Sequence, residues 1–374
     1  MAPVVINANT AEDQRDVIHR AVQALAEGKI VCFPTETVYG VAASALNEDA
    51  VERLMKVKGR NEGDPLPLAV KSSQEAMDYL PNGSTLCRRL ARRCWPGPVT
   101  LVAPNTHPES LSRQLPMAVQ KRVAPEDSIG LRVPGHQLIL DVLRLLPGPI
   151  ALTSANKTGE PPAVTGEEAI AAFGDDIEMV IDQGRCQYGQ PSSVISLVDD
   201  KLKLIREGVV SEATIDRLAA FMILFVCTGN TCRSPMAEML GRKRIADKIG
   251  CKLEEVEDRG VMVASAGIAA APGGGATKEA IQAMIDVGLD LSAHISQPLT
   301  NRLVEYADLI LTMTNSHRQV ILSQWPEASE RTEVLCTNQA DISDPIGRPQ
   351  EMYKLCSEQI DAAIRERIDR LDLS

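Results

Sequence analysis

The stretch Phe221–Glu238 constrains the fold of this chain more than any other feature. It begins with an apolar run, Met222–Val226, which has the length and continuity of a buried parallel strand. A polar loop follows, after which Ser234 and Pro235 supply a capping hydroxyl and a favoured first-turn residue for a helix. The stretch therefore predicts a strand, a loop and a helix N-terminus in immediate succession, as in an α/β domain.

The polar loop places a cysteine beside a predicted anion site. Cys227 ends the strand, and Arg233 follows after five intervening residues. A helix N-terminus attracts anions through its N–H groups and its dipole, and an arginine matches two phosphoryl oxygens at once. Gly229 and Asn230 can adopt the left-handed conformations that such a cradle needs. We therefore expect Cys227 to be a thiolate that faces an oxyanion. A zinc site is disfavoured, because Cys227 and Cys232 do not form a Cys-x2-Cys pair.

The second half of the chain resembles the low-molecular-weight protein phosphatase family, whose signature is a Cys-x5-Arg-Ser loop. The matching segments beyond the loop are Ser265-Ala266-Gly267, His294 with Ser296–Leu299, the predicted strand Asp308–Met313, and Asp344-Pro345. The resemblance implies a doubly wound parallel sheet and chemistry that needs neither a cofactor nor a metal.

The resemblance also implies a role for each matching residue. Cys227 would attack phosphorus, Arg233 would hold the equatorial oxygens, and Asp344 would protonate the leaving group. Ser234 would stabilise the thiolate, and a supporting hydrogen-bond network would come from Asn230, Ser265 and His294. For Cys232 two interpretations stay open, namely loop packing and capture of oxidised Cys227 as a disulfide.

Three activities are possible for the second domain: phosphotyrosine phosphatase, arsenate reductase and protein-arginine phosphatase. Phosphotyrosine enzymes of the family usually carry aromatic residues after the Asp-Pro, whereas Asp344-Pro345 is followed by Ile346-Gly347. An arsenate reductase would need a loop-borne pair of resolving cysteines, which Cys336 and Cys356 do not form. Protein-arginine phosphatases resemble the loop closely and have threonine at the position of Thr231, where tyrosine-type enzymes usually have isoleucine. The sequence therefore favours phosphoarginine, followed by phosphotyrosine.

Length and composition favour two intracellular domains. The chain has 374 residues, which is too long for one ordinary hydrophobic core. Its net charge of -11 argues against tight nonspecific binding of nucleic acid. The nine scattered cysteines do not form a disulfide framework, and neither a signal peptide nor an apolar run of about 18 residues is visible. We therefore expect a soluble protein of the reducing cytoplasm that does not contact a membrane.

In the first half, apolar elements repeatedly end in polar residues. Thr10 is predicted to cap a helix over about residues 11–27, and the strand Ile30–Phe33 runs into the hydroxyl-rich turn Pro34–Gly40. Asn47 is predicted to cap a second helix. Hydroxyls, an amide and cations lie at or near such ends, at Thr37, Lys58, Arg60, Arg132, Ser154, Asn156 and Arg206. This recurrence suggests a cationic, hydroxyl-rich cleft for a polyphosphate and a small carboxylate.

At these motifs residues 10–218 resemble the threonylcarbamoyl-AMP synthase family, the YrdC-like twisted α/β domain. The family joins threonine, bicarbonate and ATP, with Mg²⁺, into threonylcarbamoyl-AMP and pyrophosphate. The product feeds the threonylcarbamoyl modification of an adenosine in certain tRNAs, so tRNA and its modification proteins would be indirect partners. The resemblance implies that Thr37 and Arg132 contact threonine. It implies that nucleotide and phosphates are held by Lys58, Arg60, Ser154, Asn156, Ser192 and Arg206.

The first half also departs from that family at four positions. Asp64 and Ala69 stand where the family usually has asparagine and histidine, and Pro162 and Glu207 replace a hydroxyl and a proline. Two readings therefore remain: a synthase fused to an arginine phosphatase, or a degenerate nucleotide- or RNA-binding YrdC-like module fused to a tyrosine phosphatase.

The domain boundary is predicted between residues 219 and 220, giving domains 1–219 and 220–374. Ser211 is predicted to cap a helix that runs to about Ala219, and the next strand follows without a flexible linker. In the second domain helices are predicted from Ser234 to Ile249, over Ala276–Val287, and from Pro349 to about Leu371. The alternation of strands and helices predicts an α/β fold throughout.

Overall fold

A computed structural model describes residues 2–61, 63–198 and 201–372. The chain divides into two compact units, residues 1–218 and residues 219–374. Among the described residues, no helix combines the length and the apolar character needed to cross a membrane.

The first unit is built on a large mixed sheet. Its strands are β1 (Val4–Asn7), β2 (Val31–Phe33), β3 (Gly40–Ser44), β4 (Leu68–Ala69), β5 (Val99–Pro104), β6 (Ser128–Arg132), β7 (Ile150–Ser154), β8 (Met179–Asp182), β9 (Ser193–Val198) and β10 (Lys201–Arg206). Its helices are α1 (Gln14–Ala26), α2 (Glu48–Lys58), α3 (Ser73–Tyr79), α4 (Thr85–Cys94), α5 (Met117–Val123), α6 (Gln137–Leu145), α7 (Gly166–Phe173) and α8 (Glu212–Ala219). Within the described ranges the ten strands are ordered β1-β8-β2-β3-β7-β4-β6-β5-β9-β10.

The strand order brings the predicted polar ends together. Phe33 of β2 pairs with Gly40 of β3, so the hydroxyl-rich turn connects two antiparallel neighbours. Gly40 in turn lies opposite Ser154, the last residue of β7. Arg132 ends β6 opposite Ala69, and β6 also pairs with β5, which neighbours β9. One region of the sheet therefore collects the turn after β2 and the ends of β6 and β7.

Two helix starts in the first unit test the predicted N-caps, one of which is confirmed and one of which is wrong. Asn47 caps α2 as predicted, since its side chain accepts a hydrogen bond from the Ala50 N–H. The predicted cap Thr10 is wrong, because α1 begins at Gln14 and its cap is Asp13, which accepts from the Arg15 N–H. The hydroxyl of Thr10 instead bonds within the preceding turn.

Further along the chain, Trp95 is 6% exposed and donates its indole N–H to the Val99 carbonyl.

The second unit is a doubly wound parallel α/β domain, as predicted. Its strands are β11 (Phe221–Cys227), β12 (Val261–Gly267), β13 (Leu309–Thr312) and β14 (Thr332–Val334). Its helices are α9 (Arg233–Ile249), α10 (Lys278–Ile285), α11 (Asn301–Tyr306), α12 (Asn315–Gln324) and α13 (Gln350–Asp369). The strands are ordered β12-β11-β13-β14, and every pairing is parallel.

The central strand β11 has a core on each face, because successive side chains point to opposite sides. Ile223, Phe225 and Cys227 pack into the core that contains α9, α10 and α13 residues. Met222, Leu224 and Val226 pack into a second core that includes Trp325, which is 8% exposed and donates its indole N–H to Asn301. This register places the Cys227 thiol on the face that α9 covers.

The N-cap of α9 lies two residues before the predicted one. The helix begins at Arg233 with Cys232 as its N-cap residue, so Ser234 lies inside the first turn and is not the cap. The Ser234 hydroxyl lies 3.0 Å from the Cys227 sulfur instead. The end of the helix is as predicted, since Gly250 follows Ile249 with a left-handed φ of 68°.

Candidate active sites

The loop after β11 wraps around the sulfur of Cys227. The thiol is buried, the Asn230 N–H donates to its sulfur at 3.3 Å, and the Ser234 hydroxyl lies at 3.0 Å. Asn230 has a φ of 54°, the left-handed conformation expected for a cradle residue. The loop thus places N–H and O–H donors around the sulfur at a helix N-terminus, an arrangement that attracts an anion.

Asn230 connects the loop to two neighbouring segments. Its side-chain amide donates to the hydroxyls of Ser234 at 3.0 Å and Ser265 at 2.8 Å. The ring of His294 bonds its backbone carbonyl at 2.8 Å through Nε2. The structure thus brings together Asn230, Ser265 and His294, the residues of the predicted hydrogen-bond network.

Arg233 and Asp344 meet at the open side of the loop. The guanidinium bonds the Asp344 carboxylate at 2.5 Å through Nη2 and the Ile342 carbonyl at 3.3 Å through Nη1. The Arg233 side chain is 6% exposed, whereas that of Asp344 is 45% exposed. The arginine is therefore held in place inside the domain, and the Asp344 carboxylate is partly open to solvent.

Thr231 and Cys232 are the two remaining predicted loop residues, and their side chains are neighbours. The Thr231 hydroxyl lies 3.7 Å from the Cys232 sulfur. Cys232 also contacts the hydroxyls of Thr277 at 3.5 Å and Tyr353 at 3.7 Å. Burial raises the pKa of Tyr353 to about 12, so its phenol stays protonated at neutral pH. Disulfide capture by Cys232 stays a prediction.

Three residues to which the sequence analysis assigned no role hold this loop from outside. Glu238 accepts from the Ser265 hydroxyl at 2.7 Å, and the Gln297 N–H donates to the Asn230 side chain at 2.9 Å. His317 is buried and bonds the Thr228 hydroxyl at 2.9 Å. Burial and then the charge of Arg233 lower the pKa of His317 to about 4, which keeps the ring neutral at pH 7. No local pattern marks these residues, because their partners lie far away in sequence.

The first unit contains a cavity of about 440 Å³ at the region where the strand ends meet. The predicted binding residues that line it are Thr37, Arg60, Arg132, Ser154, Ser192 and Arg206. The lining also includes Ala69 and one carboxylate among the described residues, that of Glu126. Three guanidiniums and several hydroxyls around one cavity suit an anionic, phosphate-bearing ligand.

Arg132 is fixed on the cavity wall by three acceptors. Its Nη2 donates to Glu36 at 2.7 Å and to the Thr37 hydroxyl at 3.0 Å, and its Nε donates to the Gly97 carbonyl at 3.3 Å. The Thr37 hydroxyl is itself 2.8 Å from that of Thr35. The two predicted threonine-binding residues, Thr37 and Arg132, are therefore direct neighbours.

Arg206 and Ser192 form a second pair on the wall. The Arg206 guanidinium donates to the Ser192 carbonyl at 2.8 Å and to its hydroxyl at 3.3 Å. Gly208 closes in behind them: a Cβ there would lie 2.2 Å from the Pro191 carbonyl oxygen. Only glycine permits this approach, which explains why a glycine stands two residues after Arg206.

Arg60 lines the cavity beside an acidic neighbour. Its guanidinium donates to the Pro65 carbonyl at 2.5 Å and to the Thr153 hydroxyl at 3.3 Å. Burial lowers the pKa of Arg60, and the negative charge of Asp64 opposes that effect. Asp64, one of the four departures from the family pattern, therefore weakens the positive potential next to Arg60.

Lys58 and Asn156 do not line the cavity. The Lys58 ammonium is turned toward the loop after β7, where it bonds the carbonyls of Ser154 and Asn156 and the Asn156 side chain. Burial lowers the pKa of Lys58 to about 8. In this structure both residues shape the loop that carries Ser154, while their predicted contact with nucleotide stays a prediction.

Within the described residues, no group of three or more histidine, cysteine, aspartate or glutamate side chains is arranged to hold a metal ion.

The two centres define the class of protein. A buried cysteine in a phosphate-binding loop on a doubly wound sheet is the arrangement of a cysteine-dependent phosphatase, and the other unit presents a cationic cavity on a mixed sheet. Residues 23–208 match the Sua5/YciO/YrdC family model, described as "Telomere recombination". Residues 222–373 match the model of low molecular weight phosphotyrosine protein phosphatase. The chain belongs to both families, one in each half, which confirms the two resemblances seen in the sequence.

Individual relatives agree with this division. The chain is 31% identical over 252 residues to the threonylcarbamoyl-AMP synthase of Pyrococcus abyssi, a match that covers 64% of this chain and 72% of that protein. It is 39% identical over 153 residues to the protein-arginine-phosphatase of Bacillus subtilis, covering 40% of this chain and 95% of the relative. The solved structure of a P. abyssi Sua5 variant superposes with a TM-score of 0.52 at 25% identity, covering 70% of this chain and 91% of that one.

Proposed function

We propose that the chain is a bifunctional enzyme, a threonylcarbamoyl-AMP synthase joined to a protein phosphatase that prefers phosphoarginine. The observation that carries this proposal is that each unit assembles its own set of reactive side chains, around Cys227 in one and around Arg132 in the other. Within the described residues the nine cysteines form no disulfide, which suits work in the reducing cytoplasm.

In the phosphatase, the Cys227 thiolate attacks phosphorus while the bond to the leaving group breaks. Arg233 holds the equatorial oxygens, and protonated Asp344 gives its proton to the leaving nitrogen or oxygen. Water then attacks the phosphocysteine, Asp344 takes up a proton from that water, and the sulfur departs as a thiolate. The Ser234 hydroxyl, 3.0 Å from the sulfur, stabilises that departing thiolate.

Phosphoarginine is the preferred substrate on two grounds. Ile346, which follows the Asp344-Pro345 pair, is 61% exposed, so an aliphatic side chain stands at this position where an aromatic ring would stack on a phosphotyrosine. The Asp344 side chain is 45% exposed and bonds the guanidinium of Arg233, which supports a contact between the same side chain and a substrate guanidinium. A phosphotyrosine substrate is the second candidate, supported by the family that the domain belongs to.

Thr231→Ile is expected to shift the substrate preference from phosphoarginine toward phosphotyrosine by about tenfold, the effect of about one charge-assisted or polar contact. The isoleucine removes a hydroxyl that can orient a guanidinium and adds an apolar surface for a ring. The measurement is kcat/KM on matched phosphoarginine and phosphotyrosine peptides. Thr231→Ser, which keeps the hydroxyl, serves as the control and should retain the original preference. An unchanged ratio in Thr231→Ile would refute the role of Thr231 in specificity.

In the synthase, the threonine amine and bicarbonate give a carbamate and water, and a carbamate oxygen displaces pyrophosphate from the α-phosphorus of ATP. Thr37 and Arg132 hold the threonine, and Arg60, Ser154, Ser192 and Arg206 line the cavity for nucleotide and phosphates. Mg²⁺ usually binds through one or two carboxylates together with substrate phosphates. It would bind here as part of the ATP complex, with Glu126 as the lining carboxylate among the described residues, and would offset phosphate charge. The product would pass to the proteins that modify tRNA.

The synthase proposal predicts release of pyrophosphate only when threonine, bicarbonate and ATP are all present. Each substrate contributes a part of the bond that is formed, so omission of any one should reduce the rate to background. The measurement is a coupled pyrophosphate assay with three single-omission controls. Binding of ATP or threonine without turnover would instead support the degenerate nucleotide- or RNA-binding module.

A further inference from the structure

Glu36 is a buried carboxylate that the proposed synthase reaction leaves without a role. It lies in the turn between β2 and β3 and is 4% exposed. Its Oε1 accepts from Arg132 Nη2 at 2.7 Å, and the two side chains of this ion pair are 5% and 11% exposed. A Cβ on Gly135 would lie 3.3 Å from the carboxyl carbon, so the backbone at that position packs closely against Glu36.

Stability does not account for Glu36. Its second oxygen, Oε2, is buried and has no hydrogen-bond partner among the described residues. A buried ion pair contributes little net stability even when every oxygen is bonded, and an unbonded buried oxygen adds a cost. A half-bonded buried carboxylate is therefore better explained by what it does to Arg132.

The contacts of Arg132 leave one edge of its guanidinium available. Nη2 is bonded to Glu36 and Thr37, and Nε is bonded to the Gly97 carbonyl. Nη1 forms no hydrogen bond within the described part of the chain, and Arg132 lines the cavity. Two of the three nitrogens thus hold the plane of the guanidinium, and the third can receive a ligand oxygen.

Glu36 also makes two arginines on the cavity wall differ, because it pairs with Arg132 and not with Arg206. It offsets the charge of Arg132, whereas Arg206 bonds the neutral carbonyl and hydroxyl of Ser192. Burial, with the charge of Arg132 as the next cause, lowers the pKa of Arg206, and both guanidiniums line the same cavity. A charge-compensated cation suits a zwitterion, and an uncompensated cation suits a polyanion.

We propose that Glu36 is a positioning residue that orients Arg132 so that Nη1 receives the carboxylate of an α-amino acid, and that directs polyphosphate toward Arg206. The inference rests on the proposed synthase function and deepens it. Glu36 acts on the substrate only through Arg132.

Calorimetric titration of the full-length chain with L-threonine, L-threonine amide and ATP tests the proposal. In Glu36→Gln, threonine affinity is expected to fall about tenfold or more, the effect of one misplaced charge-assisted contact. Affinity for the amide, which has no carboxylate, should change less than about twofold, and ATP should bind no more weakly. Glu36→Asp keeps the charge but shortens the side chain, so a positioning role predicts the same loss of preference for threonine over its amide.

The matched control is Glu178→Gln, which alters another ion-paired glutamate of the same unit, bonded to Arg53 at 3.0 Å. It should leave all three affinities unchanged. The inference is overturned if both Glu36 variants keep the wild-type ratio of threonine to amide affinity. It is also overturned if ATP binding is lost together with threonine binding in both, because that shows a structural role. A wild type that shows this threonine preference but releases no pyrophosphate would refute the synthase and leave the inference standing.

Discussion

Cys227→Ser is expected to abolish phosphatase activity, by about four orders of magnitude or more, the size of effect seen when a covalent nucleophile is removed. A serine hydroxyl at this position is not ionised at neutral pH, so the donors around the sulfur would have no thiolate to stabilise. The measurement is phosphate release from a phosphoarginine peptide and from p-nitrophenyl phosphate. Pyrophosphate release by the same preparation should be unchanged, because the two reactive sets belong to different units.

Cys251→Ser is the matched control for this substitution. Cys251 is a partly buried thiol that bonds the Lys252 carbonyl and lies outside the loop around Cys227. Its loss should change the phosphatase rate by less than about twofold, as for most substitutions away from a site. Comparable losses in both variants would contradict the assignment of Cys227 as the nucleophile, and loss of both activities in Cys227→Ser would contradict the independence of the units.

Arg233→Lys is expected to lower phosphatase kcat/KM by about 10²- to 10³-fold. The Arg233 guanidinium is buried and spans two acceptors at once, the Asp344 carboxylate and the Ile342 carbonyl. An ammonium cannot present a planar fork to two phosphoryl oxygens while it holds the segment that carries the general acid. The measurement is kcat/KM together with inhibition by inorganic phosphate, and both should weaken.

The control for Arg233 is Arg244→Lys on the same helix. Arg244 bonds the Asp361 carboxylate with Nε and Nη2, both at 2.7 Å, and is partly exposed. Its replacement removes a similar forked ion pair away from the loop, so activity should stay within about twofold of the wild type. Equal losses in the two lysine variants would mean that α9 is merely destabilised and that Arg233 does not bind phosphate.

What could be predicted from the sequence was local. The strand and loop at Phe221–Arg233, the Asn47 cap and the glycine after Ile249 depend on residues within a few positions of one another, and the structure confirms these elements. The same local rules misplaced two caps. Asp13, three residues after Thr10, caps α1 instead, whereas α9 begins at Arg233 without any side-chain cap.

What could not be predicted depends on strand order and on distant pairs. His317 reaches Thr228 because β13 pairs with β11, and 89 positions separate the two residues in the chain. Glu36 meets Arg132 across 96 positions and the middle of a sheet whose order does not follow the sequence. A sequence pattern shows that Pro34–Gly40 is polar and that Arg132 ends a strand, but it does not show that the two form a pair.

The two buried tryptophans provide a way to observe each half of the enzyme separately. The chain has two tryptophans, Trp95 in the first unit and Trp325 in the second, and the indole N–H of each is bonded inside its own unit. Trp95→Phe and Trp325→Phe would each leave a single intrinsic fluorophore that reports on one unit. Because chains of several domains often unfold in more than one step, denaturant titrations of the two variants would give a midpoint for each half and show whether a ligand of one shifts the other.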